Sequence, residues 1–340
     1  INASWVLSNL TKDPKNIQPV IEGGACPELV KLIDTTNGDN KVQKSWNALI
    51  TLGFIAAGTT DQKQAVIETG ACQRLFEVLE NRKSKNCLQN ALHAVAIIAE
   101  GTVSQKQAII DCDNALTTLR TFFDSPDDQL RQNAYTAITQ ITRGGSVDQI
   151  QSVIDAGIVS AIFEDELLTD GEELEIIRRN AATTISNIAM LGSPGQIKYL
   201  FLEQGCIPPL CAILDVLKCN DAVFLVLEGF ANVIDVSSQR HLAAGQIQET
   251  GGIKKIEALC KHEYQKLRDA ARLLMAAIKK ATSSEAVEMR ERVRAFTLAL
   301  ASGDQEQQME ATNNFNVLLG GIKRNDDLHV VQEVMEAGVA

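Results

Sequence analysis

An indole and a carboxamide four residues apart, Trp5 and Asn9, are the pair in this chain best suited to holding another polypeptide. Side chains at positions i and i+4 project from one face of a helix. The Asn amide can both donate to and accept from the backbone of an extended ligand. The indole offers an apolar wall for a lysine stem and a π face for its ammonium group. We interpret the pair as a candidate peptide clamp; the alternative is that Trp5 packs at the end of the chain.

Carboxylates could add selection for cations beside such a clamp. Asp13, Glu100, Glu228 and Asp235 are candidates for lining a groove that attracts basic side chains, the alternative being ordinary solvated surface. By contrast, no Walker, G-x-S-x-G, H-E-x-x-H or dinucleotide-binding motif is present, and the four histidines are too dispersed to suggest a metal cluster. We therefore expect a binding protein rather than an enzyme, with no cofactor and no metal.

Composition limits the partners that such a protein would bind. The formal charge of −11 argues against binding nucleic acid or an acidic membrane surface over the whole protein, and leaves room for a basic partner. No apolar run approaches the roughly 18 to 20 residues that span a bilayer. Eight cysteines without metal-ligand spacing predict reduced thiols and an intracellular compartment. Because Ile1 is not a usual start, we expect a fragment or a processed piece.

The helices that must position these residues are predicted by an internal repeat. An acidic residue followed closely by Gly and a small residue recurs from Glu22 to Glu249, at steps of 46, 43, 44, 48 and 46 residues, with Asp111-Cys-Asp-Asn114 as a variant that lacks the Gly. A second marker, Gly followed four residues later by Gln, has a similar period. Its copies are Gly58 with Gln62, Gly101 with Gln105, Gly145 with Gln149, and Gly192 with Gln196.

This period, together with apolar residues spaced as on helices, predicts the fold. Repeats in the forties match three-helix armadillo or two-helix HEAT units, and Gly and Pro at the breaks favour a long, a short and a medium helix in each unit. Such a trio cannot bury its apolar faces alone, so it must stack on its copies. We expect an all-α, right-handed superhelical armadillo solenoid of about 7–8 repeats, forming a single domain over 1–340.

Several stretches carry a family resemblance. SWVLSNL around Trp5, EGGACPELVKLI after it, and QIKYL, EQGCI and PLCAILD between 180 and 215 resemble the importin-α (karyopherin-α) family. The resemblance is strongest at 1–34 and 180–234. Residues 286–340 resemble the first repeat of that family, although they come last here. Either the order of segments is permuted in this chain, or a late repeat resembles the first.

The resemblance implies a ligand site. In importin-α a W-x-x-x-N pair recurs along a concave groove that holds nuclear localisation signals. Transferred to this chain, the pattern is complete only at Trp5 and Asn9. Its other positions are Ile50 with Phe54, His93 with Ile97, Thr136 with Gln140, Thr183 with Asn187, and Glu228 with Asn232. The expected peptide-binding residues are Trp5, Asn9, Asn187, Asn232, Gln140, Glu228, Asp13 and Glu100.

The resemblance also implies a function. It predicts a nuclear-import adaptor that binds basic cargo peptides, links them to importin-β, meets an export receptor, and is found in the cytoplasm and nucleus. The incomplete series of Trp and Asn residues favours an alternative, a divergent armadillo scaffold that binds other signalling or cytoskeletal proteins.

Overall fold

The computed structural model describes residues 3–33, 39–81, 84–165, 175–236 and 240–283. The chain divides into two compact units, one ending at Ser193 and the other beginning at Pro194. Within the described ranges the secondary structure is helical, without a strand. The expectation of a single solenoid over 1–340 stays a prediction, and the segment 286–340 lies outside the described residues.

In the first unit, a short, a medium and a long helix follow one another repeatedly. Its helices are α1 (Ala3–Leu10), a 3-10 turn (Pro14–Asn16), α2 (Ile17–Glu22), α3 (Ala25–Leu32), α4 (Asp39–Ala56), α5 (Thr60–Ile67), α6 (Ala71–Asn81), α7 (Lys85–Ala99), α8 (Val103–Ile110), α9 (Ala115–Thr121), α10 (Asp128–Thr142), α11 (Val147–Asp155), α12 (Ile158–Asp165) and α13 (Glu175–Leu191). The core forms between successive members of one helix series. Each helix packs on the next in the order α1, α4, α7, α10 and α13.

The second unit continues the same order of elements. Its helices are α14 (Pro194–Lys198) running into a π-helical turn (Tyr199–Glu203), α15 (Ile207–Ile213), α16 (Asn220–Val236), α17 (Arg240–Glu249), α18 (Gly252–Leu259) and α19 (Gln265–Ala281). The long helices α16 and α19 pack together, and α17 and α18 cover them. No helix in the described part of the chain combines the length and the apolar character needed to cross a membrane.

The Gly-to-Gln marker corresponds to the start of the short helices α5, α8 and α11. At α5, Thr59 accepts a hydrogen bond from the backbone N–H of Gln62, whose side chain accepts one from the N–H of Thr59. The same reciprocal cap begins α8 and α11. The variant signature is also explained, because Asn114 adopts the left-handed conformation (φ 54°) that Gly adopts in other repeats.

The capping glutamines also join successive repeats. Besides capping α11, Gln149 donates through Nε2 to the carbonyl of Val103 at 2.8 Å and to Oε1 of Gln107 at 3.0 Å, both on α8. Gln105 similarly donates to the carbonyl of Thr60 on α5 at 2.9 Å. One buried side chain therefore both begins a helix and binds that helix to the previous repeat.

The core is built from aliphatic side chains and alanine, as the low aromatic content of 4% leads one to expect. Leu49, Leu92, Ile138 and Ile185 on four successive long helices are fully buried. The eight cysteines are free thiols, and five of them are buried. Burial raises the pKa of Cys206, so this thiol is held in its unreactive, protonated form.

Candidate functional site

The candidate site is the face of the first unit that carries the clamp positions, by which we mean Trp5 with Asn9 and their counterparts on α4, α7, α10 and α13. These counterparts differ in accessibility. Ile50 and Phe54 on α4 are half-buried, and Ile97 on α7 is half-buried beside an exposed His93. On α10, Thr136 and Gln140 are half-buried, whereas Thr183 and Asn187 on α13 are buried.

Trp5 is the most accessible large side chain of these positions. Its side chain lies on α1, and 54% of the residue surface is exposed. Asn9 donates through Nδ2 to the carbonyl of Trp5 at 3.0 Å, and its Oδ1 accepts from Nζ of Lys12 at 2.9 Å. Both bonds are solvent-exposed and lie within one helix turn, so a ligand backbone can compete for the amide at small cost.

Glu100 and Gln140 are the predicted site residues that the structure brings together, with Gln140 Nε2 donating to Glu100 Oε1 at 3.4 Å. Glu100 is exposed at the end of α7. Asp13 instead caps the turn after α1, accepting a hydrogen bond from the backbone N–H of Lys15 at 3.1 Å. Its carboxylate remains exposed, and therefore accessible to a cation as well.

Asn187 occupies a different environment from Asn9. Its side chain is 6% exposed and donates to the hydroxyl oxygen of Thr142 at 3.1 Å and to the carbonyl of Thr139 at 3.4 Å. Both acceptors belong to α10, so the amide joins two long helices. A role for Asn187 in peptide binding stays a prediction, and it would require these bonds to be broken.

The remaining predicted residues belong to the second unit. Glu228 and Asn232 are half-buried and four residues apart on α16, so they share one face of that helix. Asp235, one turn further, is exposed. Their role in binding also stays a prediction.

The sequence reading did not single out two buried lysines, Lys63 and Lys106. Lys63, on α5, is 6% exposed, and its ammonium group donates to the carbonyl of Ile97 at a clamp position. Burial lowers the pKa of Lys63, and the carboxylate of Glu100 acts in the opposite direction. A sequence signal did exist, because lysine follows the capping glutamine here, whereas Ile150 and Ile197 follow it in later repeats.

Lys106 makes the same kind of contact one repeat further along the first unit. It is 4% exposed on α8, and its ammonium group donates to the carbonyl of Gln140, to that of Arg143 at 2.7 Å and to that of Ala99 at 2.9 Å. Burial, followed by the nearby charge of Arg143, lowers the pKa of Lys106 to about 8, and Glu100 opposes the shift. The two lysines thus bind the backbone at two successive clamp positions.

Within the ranges that the structure describes, His, Cys, Asp and Glu side chains do not come together in groups of three that could hold a metal ion.

Comparison with known proteins identifies relatives for most of the chain. Importin subunit alpha-4 of Arabidopsis thaliana is 34% identical in an alignment of 283 positions, which covers 79% of this chain and 50% of that protein. Importin subunit alpha-1b of Oryza sativa subsp. japonica is 33% identical in a gapped alignment of 361 positions, which covers 79% of this chain and 66% of that protein. The chain thus spans about half to two thirds of the length of these relatives. A scan against models of protein families finds no match.

Solved structures of armadillo-repeat proteins confirm the fold class. The designed armadillo repeat protein YIII(Dq)4CqI aligns with a TM-score of 0.65 and 28% identity, covering 74% of this chain and 99% of its own. A related design, solved in complex with the peptide (KR)4, aligns with a TM-score of 0.64 and 29% identity, covering 74% of this chain and 98% of its own.

Proposed function

Because the chain belongs to the importin-α family as a divergent armadillo-repeat member, we propose that it is a nuclear-import adaptor binding basic localisation signals. The observation that carries the proposal is the exposed indole of Trp5, one helix turn before the exposed amide of Asn9. A lysine or arginine side chain would lie against the indole while Asn9 binds the ligand backbone. The designed armadillo protein that holds a (KR)4 peptide supports this class of ligand.

Binding of a fluorescent lysine-rich localisation peptide tests the proposal directly. We expect micromolar or tighter binding that weakens as salt is raised, because exposed charges are screened. Trp5→Ala should weaken binding about tenfold, since a cation over an indole contributes roughly 0.5–2 kcal/mol. Val6→Ala is the matched control, because Val6 is exposed on the same helix but projects from a different face. Absence of binding to the folded chain, or equal losses in both variants, would refute the proposal.

The family also suggests the remaining partners. In this proposal the chain delivers its cargo through importin-β, returns with an export receptor, and therefore occupies both cytoplasm and nucleus. Its charge of −11 supports a basic protein ligand over nucleic acid. Co-precipitation of the chain with importin-β in the presence and absence of cargo peptide would test this step.

A second candidate function is a divergent armadillo scaffold that binds partners without a basic segment. The half-buried Ile50 and Phe54 favour it, because neither side chain can hydrogen-bond a peptide backbone. The same titration distinguishes the two functions, since a scaffold of this kind gains no affinity from lysines in the peptide.

A further inference from the structure

The contacts of Lys63 and Lys106 bring positive charge to the backbone at two clamp positions of the candidate site. Lys63 binds the carbonyl of Ile97, and Lys106 binds the carbonyl of Gln140. The two contacts are equivalent, because each joins a short helix to the long helix of the following repeat. Both ammonium groups bind the backbone at positions where the family resemblance leads one to expect an asparagine.

The armadillo fold does not require lysine at this place. Ile150 and Ile197 follow the capping glutamine in later repeats and are buried, with 0% and 1% of their surface exposed. Burying an ammonium group costs free energy that an isoleucine does not cost. The two lysines offset this cost by donating to carbonyls at the ends of α7 and α10, and they bring two positive charges to those helix ends.

Their charge changes what Glu100 can attract. Glu100 interacts with the ammonium groups of both Lys63 and Lys106, as the opposing effects on their pKa values indicate. Arg143, which also acts on Lys106, adds a third positive charge at the end of α10. At the ends of α7 and α10, two buried ammonium groups thus act on one carboxylate. A ligand lysine gains less there than beside an isolated carboxylate, because the two lysine charges oppose its attraction.

Apolar side chains lie at the clamp positions on α4 and α7. Ile50, Phe54 and Ile97, which we call the apolar subsite, are each half-buried and therefore present part of their surface to solvent. Covering that surface with an apolar group is favourable by about 25 cal/mol per Å². A charged group would instead lose hydration without finding a hydrogen-bonding partner on these three side chains.

We propose that the apolar subsite, backed by Lys63 and Lys106, determines specificity by accepting an uncharged apolar side chain and rejecting a lysine. The inference rests on the proposed function and defines its ligand: an extended segment with a basic residue at Trp5 and an apolar residue further along. Packed helices lie 8–10 Å apart, and an extended chain rises about 3.3 Å per residue. Because α4 and α7 are one and two helices from α1, the two anchors are about three to six residues apart.

Three fluorescent peptides test this inference on the full chain. Each has serine and glycine spacers and one lysine, followed four residues later by leucine, lysine or serine. We expect the lysine–leucine peptide to bind about tenfold more tightly than the other two, since half-burying a leucine supplies roughly 1.4 kcal/mol. Phe54→Ala should remove most of this preference by bringing the affinity of the lysine–leucine peptide close to that of the lysine–serine peptide.

Replacing the lysines tests their part separately. The double variant Lys63→Ile/Lys106→Ile carries the residue found at this place in other repeats, and circular dichroism will report its folding. We expect it to bind the lysine–lysine peptide more tightly than the native chain does. Tighter binding of the lysine–lysine peptide by the native chain would overturn the inference and leave the proposed function standing. No binding of any of the three peptides would refute both.

Discussion

Replacing Asn187 by alanine will show whether its side chain contacts the ligand or joins two repeats. The variant loses the 3.1 Å hydrogen bond to Thr142 and the longer bond to the carbonyl of Thr139. A buried hydrogen bond contributes about 1 kcal/mol net, and the space left by the truncated side chain adds a similar amount. We therefore expect Asn187→Ala to lower the free energy of unfolding by about 2 kcal/mol.

The assay is urea unfolding followed by circular dichroism, beside peptide titration at 25 °C in buffer. With a denaturant dependence of about 3 kcal/mol/M, the midpoint should fall by about 0.7 M. Affinity for a lysine-rich peptide should stay within about twofold of the native value, because the amide of Asn187 is buried. Asn9→Ala is the matched control, and it should show the reverse: stability within about 0.5 kcal/mol of native and weakened binding. An unchanged midpoint with lost affinity in Asn187→Ala would refute this reasoning.

Two further predictions concern the buried polar side chains. Between about pH 8 and 10.5, the unfolded chain keeps a proton on Lys106 that the folded chain has released. The free energy of unfolding should therefore rise with pH by up to about 3 kcal/mol more than it does in Lys106→Ile. A difference in unfolding free energy between the two proteins that does not change with pH would contradict the pKa of about 8. Gln149→Ala should lower the unfolding free energy by about 2 kcal/mol, because it removes both a helix cap and two hydrogen bonds to α8. Gln62→Ala should lower it about half as much, since the contact of Gln62 to Gln18 is exposed and 3.3 Å long. Equal losses of stability in thermal unfolding would contradict the role of Gln149 in joining two repeats.

The sequence predicted the local order of helices well, because the signals that begin and end them are themselves local. Thr59 and Gln62 lie three residues apart, and a capping box needs no information from elsewhere in the chain. The replacement of glycine by Asn114 was recognisable for the same reason, since asparagine tolerates a left-handed conformation. The all-α armadillo class followed from the period of these local signals.

Accessibility at the candidate site was not predictable in the same way. A spacing of four residues places Thr183 and Asn187 on one face, but whether that face is open depends on α10, more than forty residues earlier. Lys63 presented the same difficulty, because a lysine in a polar eight-residue helix is ordinarily solvated. Its burial depends on the carbonyl of Ile97, which belongs to the next repeat.

The glutamines that cap the short helices have a consequence for how the first unit unfolds. Since Gln149 caps α11 through Oε1 and binds α8 through Nε2, each contact holds the side chain in place for the other. Helix capping and attachment to the neighbour are therefore coupled, which strengthens the coupling between nearest repeats. In such a linear array, removal of one central glutamine weakens the coupling at that interface and leaves the other interfaces unchanged.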